Sequence, residues 1–132
     1  AFVGMTAFEE LCRDWLLVQA RARALPLSPE IAGSHWAPNA QVDVVALNWR
    51  DKAILLGECK WGVEPVGRGV IRELVAKAPL ALPGEGWRVH YAFFARAGFT
   101  AAARAEAAPL DALLVDLDQI DAALRRAMEA FE

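Results

Sequence analysis

Between Met5 and about Ala24, apolar residues recur at helical spacing. Phe8, Leu11, Cys12, Trp15 and Leu16 mark one stripe, and Glu9, Glu10, Arg13 and Asp14 fill most of the gaps. The pattern predicts an amphipathic helix, ended by Pro26 and Pro29. Residues 31–36 suit a short strand. The period then changes: residues 41–49 (QVDVVALNW) and 53–61 (AILLGECKW) are β-branched and apolar, and residues 48–51 between them carry turn chemistry, so the two runs predict a hairpin. A loop at 62–69 leads into helical spacing at 70–78, which Pro79 and Pro83 are expected to stop. Residues 88–95 (RVHYAFFA) form a further strand. Thr100 is a cap for a short Ala-rich helix to Ala108, and residues 113–117 a last strand. Asp118 is expected to cap a final helix to about Phe131, with Asp121 favouring its N-terminal dipole. The order is α, two or three strands, α, β, α, β, α, without repeats, which reads as one domain over residues 1–132.

Some charges interrupt these apolar runs. Alternation along AILLGECKW puts Ile54, Leu56, Glu58 and Lys60 on one face and Leu55, Gly57, Cys59 and Trp61 on the other. Asp43 sits among Val42, Val44, Val45 and Leu47. Acids and lysines are seldom buried without a partner. Asp43 and Glu58 lie seven and eight residues from Arg50 in the turn, so a hairpin would bring them face to face near one end. Two carboxylates and a lysine suit a hard cation such as Mg²⁺, which takes oxygen ligands together with waters and a substrate phosphate. An ordinary ion pair, Glu58 with Lys60 or Asp43 with Lys60, would account for the same residues.

At 132 residues, 56% apolar and 23% charged, the chain can build one core. No apolar run approaches the roughly 20 residues of a membrane helix, and no signal peptide opens the chain, so a soluble, cytoplasmic domain without a membrane partner is expected. The first residue is Ala, and the chain is read as a piece of a longer protein. A net charge of −3 runs against the basic excess usual in nucleic-acid binders. Cys12 and Cys59 match no zinc spacing and are read as buried small hydrophobes, not a disulfide.

Asp43 followed after the hairpin by Glu58-Cys59-Lys60 resembles the D…(D/E)xK signature of the PD-(D/E)XK, or restriction-endonuclease-like, superfamily. The strings VDVVALN and LLGECKW, with Gly4, Phe8 and Glu9 ahead of them, are similar in particular to the nuclease-like C-terminal domain of archaeal-type AAA+ ATPases, a relative of Holliday-junction resolvases and Mrr-type nucleases. The likeness covers about residues 3–78. It implies an α/β fold with an αβββαβ core, a central mixed sheet flanked by helices. It implies catalytic roles for Asp43, Glu58, Lys60 and Glu9, with Mg²⁺ (or Mn²⁺) on Asp43, Glu58, the Cys59 backbone carbonyl and, through water, Glu9. Val42 replaces the family's Pro. The 70–78 helix offers Arg72, Glu73 and Lys77 but no glutamine, so no accessory-glutamine role carries over.

Arg68 and Arg72 follow the site and are the best phosphate contacts, and Trp61 or Trp36 could stack on bases or pack the rim. Only one of Glu9 and Glu10 can face the site. His35 and His90 have no partner at ligand spacing, and VGRG lacks the GK[ST] of a P-loop. The expected function is a metal-dependent endonuclease domain acting on DNA, with branched DNA among the candidate substrates. An AAA+ ATPase domain in the same chain would deliver it, and a homodimer would supply two sites for two strands. The competing expectation is an inactive nuclease-fold module that binds DNA or docks a partner protein.

Overall fold

The computed structural model describes residues 2–33 and 41–130. His35 and Trp36 lie outside the described residues. Helix α1 (Phe2–Arg21) opens the chain and buries Phe8, Cys12 and Leu16, one residue per turn. It stops before the prolines: Arg23 adopts a left-handed φ of 56°, and the Ala24 N–H reaches back to the Gln19 carbonyl. That six-to-one bond satisfies a terminal carbonyl without needing Pro26.

Strands β1 (Ile31–Gly33), β2 (Val44–Asn48), β3 (Ala53–Lys60), β4 (Arg88–Ala95) and β5 (Leu113–Asp116) form one sheet whose spatial order is the chain order. The β1–β2 and β2–β3 pairs are antiparallel, and β3–β4 and β4–β5 are parallel. The parallel pairs need crossovers. Helix α2 (Arg68–Ala81) links β3 to β4. Helix α3 (Ala101–Ala107) and a 3₁₀ turn (Ala108–Leu110) link β4 to β5, and α4 (Leu117–Glu129) follows β5. In the β2–β3 turn, Asn48 Oδ1 accepts the Asp51 N–H at 2.8 Å and Lys52 takes φ 50°, which closes the hairpin the sequence predicts.

The sheet is covered on both sides, as the alternation requires. Val44, Ala46, Leu55, Cys59 and Phe94 pack under α1 and α4 with Phe8, Cys12 and Ile120. Val45, Leu47, Ile54, Leu56 and Phe93 pack under α2 and α3 with Ile71, Leu74 and Ala103. The fold is therefore the α/β architecture with a mixed sheet flanked by helices that the sequence implies. Among the described residues, no helix is long and apolar enough to cross a membrane.

Several boundaries differ from expectation. Pro79 does not stop α2, which runs on to Ala81. The ring sits exposed in the last turn, while Ala78 and Ala81 on the same helix are buried, so packing holds the turn although one backbone donor is missing. The last helix is capped by Asp116, not Asp118. Asp116 accepts from the Gln119 N–H, and Gln119 accepts from the Asp116 N–H, both at 2.9 Å, a complete capping box. Asp121 is also paired with Arg125 one turn on, at 3.0 Å.

Candidate metal site at the end of the sheet

The β2–β3 ladder ends at the pair Val44↔Gly57. One step further, Asp43 stands opposite Glu58. Asp43 lies just outside β2, and its carboxylate takes over the ladder: Oδ2 accepts the Cys59 N–H at 2.8 Å. A strand residue turns its N–H and C=O toward the same neighbour, so the Cys59 carbonyl is turned to the Asp43 side as well. Gly57 has no side chain at this crossing because a Cβ there would lie 3.2 Å from the Val44 Cβ and 3.3 Å from the Phe94 ring.

Glu58 projects toward α2, on the face it shares with Leu56 and Ile54, and its side chain is 14% exposed. Burial first, and then the Asp43 charge, raise its carboxyl above the ordinary 4.5; Lys77 and Lys60 act in the opposite direction. The ion pair expected with Lys60 is not the one formed. Lys77 from α2 approaches Glu58, its Nζ 3.3 Å from Oε2 and 3.5 Å from Oε1. The donor geometry serves Oε1 alone, which leaves Oε2 buried without a hydrogen-bond donor. Lys60 makes no ion pair among the described residues, yet its charge is close enough to act on Glu58.

The other expected site residues divide. Glu9 is half-buried and Glu10 exposed, so Glu9 is the one turned inward; its charge and that of Asp43 both act on the Cys59 thiol. That thiol is pushed far up, first by its hydrogen bond with the Cys12 thiol and then by burial, so it is not poised as a nucleophile or soft ligand. Trp61 is packed: its ring lies 5.2 Å from Phe8, and a Cβ on Gly4 would come within 3 Å of the indole nitrogen. The guanidinium of Arg96 lies 4.3 Å from the centre of the Trp61 ring, covering a face that a stacked base would need. Arg68 is exposed as the first residue of α2. Arg72 is paired with Glu106 of α3 at 3.1 Å and so is tied to the helical layer.

Two residues that sequence reasoning did not place at the site belong to it. Lys77 flanks the buried stripe of Ile71, Leu74, Ala78 and Ala81, a position where a lysine ordinarily carries its ammonium out to water, so nothing in the local pattern marked it as the partner of Glu58. Arg96 follows β4 directly; its N–H bonds the Lys60 carbonyl at 3.0 Å and its side chain reaches the Trp61 carbonyl at 3.5 Å. The loops after β3 and β4 are joined by the Val66↔Phe99 bridge, which fixes Arg96 beside the end of β3.

Two carboxylates, one buried oxygen without a donor and a backbone carbonyl at the same edge fit an octahedral cation that keeps several waters. They do not make an all-protein cage. Among the described residues no three acids, histidines or cysteines come together at ligand spacing, so Glu9 does not join Asp43 and Glu58 as a third direct carboxylate.

A family described as archaea bacterial proteins of unknown function, DUF234, matches residues 1–68, more than half of the chain. The chain belongs to this family. The matched DUF234 span runs from α1 through β3 to the start of α2, so it includes Glu9, Asp43, Glu58 and Lys60, while Lys77 and Arg96 lie beyond it. No curated protein and no solved structure matches the chain.

Proposed function

We propose that this domain is a Mg²⁺- or Mn²⁺-dependent endonuclease module that hydrolyses DNA phosphodiester bonds. The observation that carries the reading is the meeting of Asp43 and Glu58 across the end of the hairpin, with a buried Glu58 oxygen lacking a donor and Lys60 next along the strand. The resemblance of Asp43…Glu58-Cys59-Lys60 to the PD-(D/E)XK signature supports it. Asp43, Glu58 and the Cys59 carbonyl would hold the ion, and Glu9 would act through water. When bound, the ion supplies a more acidic water and neutralises charge developing on the phosphate.

The remaining work falls to the protein. The Cys59 N–H fixes the Asp43 carboxylate and so presets one side of the site. Lys60, which makes no ion pair among the described residues, is available to orient or deprotonate the attacking water, or to steady the phosphate as a point charge. Arg96 and Arg68 present exposed cations for backbone phosphates, which fixes register and makes binding salt-sensitive. An ATPase domain in the same chain would bring DNA to the site, and a second copy would allow both strands to be cut.

The competing reading, a nuclease-fold module that binds DNA or a partner without cutting, is favoured by one observation: Glu58 already has a cation, Lys77, beside it. Calorimetric titration with Mn²⁺ separates the two, wild type against Asp43→Asn, followed by cleavage assays on branched and linear DNA. The endonuclease reading expects binding that Asp43→Asn removes, together with Mn²⁺-dependent cleavage that Lys60→Met removes. Absence of binding at millimolar Mn²⁺ would overturn it in favour of the non-catalytic module.

A further inference from the structure

Glu58 has a resident cation that the D…ExK pattern does not supply. Lys77 comes from a different element, helix α2, and its ammonium sits within 3.5 Å of both carboxylate oxygens. The contact is sheltered, with side-chain exposures of 24% for Lys77 and 14% for Glu58. It is also the only ion pair formed by Glu58 among the described residues. The surrounding charges on α2 do not compete for this role: Arg72 is held by Glu106, and Arg68 and Glu73 are exposed.

We propose that Lys77 is a displaceable counter-ion for the metal site, occupying the Glu58 carboxylate in the metal-free protein and leaving it when a divalent cation binds. The inference rests on the metal-site reading above and adds a regulatory element to it. An ammonium 3.3 Å from Oε2 stands where a cation bonded to that oxygen would meet a like charge at close range. Lys77 has a four-carbon stem and a compact charge, and so can swing to solvent in a way that a planar, bidentate arginine would resist. The Asp43 carboxylate has no such freedom, because a backbone N–H holds it. The site therefore has one fixed ligand and one guarded ligand. Removing the guard should tighten cation binding and weaken the metal-free fold, because Glu58 is then buried without its partner.

The test pairs two measurements on the 132-residue chain. Mn²⁺ affinity is measured by calorimetry for wild type, Lys77→Gln and Asp43→Asn, and melting temperature is measured with and without Mn²⁺. Lys77→Gln should bind Mn²⁺ about tenfold more tightly than wild type, within the usual range for one coupled charge. It should melt lower than wild type without metal and show the larger metal-induced rise. Tight binding by Lys77→Gln alone, with none by wild type, would overturn the displacement, because the Lys77–Glu58 pair would then block the cation instead of yielding to it. Wild-type binding that is lost in Asp43→Asn but unchanged or weaker in Lys77→Gln would overturn this inference and leave the metal site standing. No binding by either wild type or Lys77→Gln would overturn the metal site itself. Should the variant fold poorly, the wild type provides an independent readout: the ¹⁵N signal of the Lys77 ammonium should change on Mg²⁺ addition, and an unchanged signal with Mg²⁺ bound would overturn the displacement.

Discussion

Asp43 has two tasks that a pair of substitutions can separate. Its charge faces Glu58 and contributes to raising that carboxyl, while its Oδ2 accepts the Cys59 N–H at 2.8 Å where the β2–β3 ladder has run out. Asp43→Ala removes both. Asp43→Asn removes the charge but keeps an oxygen in the same place. Since both variants relieve the repulsion on Glu58 equally, the difference between them isolates the hydrogen bond. An orphaned donor beside the buried Cys59 costs about 1–3 kcal/mol, and a neutral amide oxygen restores most of that. Asp43→Asn should therefore be more stable than Asp43→Ala by roughly 1–2 kcal/mol, about 3–8 °C in melting temperature for a domain of this length. Both should lose the Mn²⁺-induced rise in melting temperature. The assay is urea and thermal unfolding of the three proteins, with and without Mn²⁺. Equal stability of Asn and Ala would refute the claim that the carboxylate extends the ladder. A full Mn²⁺ response in Asp43→Asn would refute its role as a charged ligand.

Further consequences concern other parts of the molecule. His90 on β4 is held below the usual 6.5, chiefly by burial and then by Arg88, and its Nε2 is buried without a partner. Its neutral form is thus the folded one: its contribution to stability is full above pH 6.5 and is lost as pH falls through the lowered value. His90→Leu should stabilise the domain by about 1 kcal/mol near pH 7, and unfolding curves from pH 7 to 5 should show that advantage growing. Gly4→Ala improves helix propensity by up to about 1 kcal/mol, but its Cβ would fall within 3 Å of the Trp61 indole, so the variant should lose roughly 1–3 kcal/mol to displaced packing. A shift in tryptophan emission should accompany the loss, and net stabilisation would mean that Trp61 yields freely. Arg96→Ala should weaken DNA binding severalfold and lower the salt dependence by about one phosphate contact. Its melting temperature should move by no more than a surface cation–π contact is worth, about 0.5–1 kcal/mol.

The strands were legible because apolar runs bounded by turns leave few alternatives. Residues 88–95 are a strand to the residue, and 53–61 loses only Trp61 at its end. The intrusion of Asp43 and Glu58 into those runs marked them as candidate site residues, and the hairpin register did bring them opposite. Partners were harder. Lys60 lies two residues from Glu58 on the same face, which made it the natural ion-pair candidate, yet the pair forms with Lys77, nineteen residues away. That choice depends on how α2 crosses the sheet, a tertiary fact that local spacing does not contain. Arg72 shows the same limit, since its carboxylate partner Glu106 is on a helix the motif does not reach. Asp116 and Asp118 could each start the last helix by propensity. The reciprocal bonds with Gln119 decide for Asp116, and a glutamine three residues on was the sign to weigh.

The arrangement also accounts for how a small domain tolerates facing acids at the edge of its core. Asp43 is met by a backbone N–H, which is fixed once β3 is formed and costs no side-chain freedom. Glu58 is met by a lysine side chain, which must be ordered against α2 and can be released again. Even so, its carboxyl remains raised, because burial and Asp43 outweigh Lys77 and Lys60. A fold selected only for stability would gain by replacing Glu58 with an apolar residue that continues the stripe of Ile54 and Leu56. On the proposed metal site, the carboxylate at this position has a use that an apolar residue could not serve, as a ligand for a divalent cation. On that proposal the two compensations divide the labour: the backbone N–H fixes the Asp43 carboxylate, and the Lys77 ammonium offsets the Glu58 charge where the cation would bind.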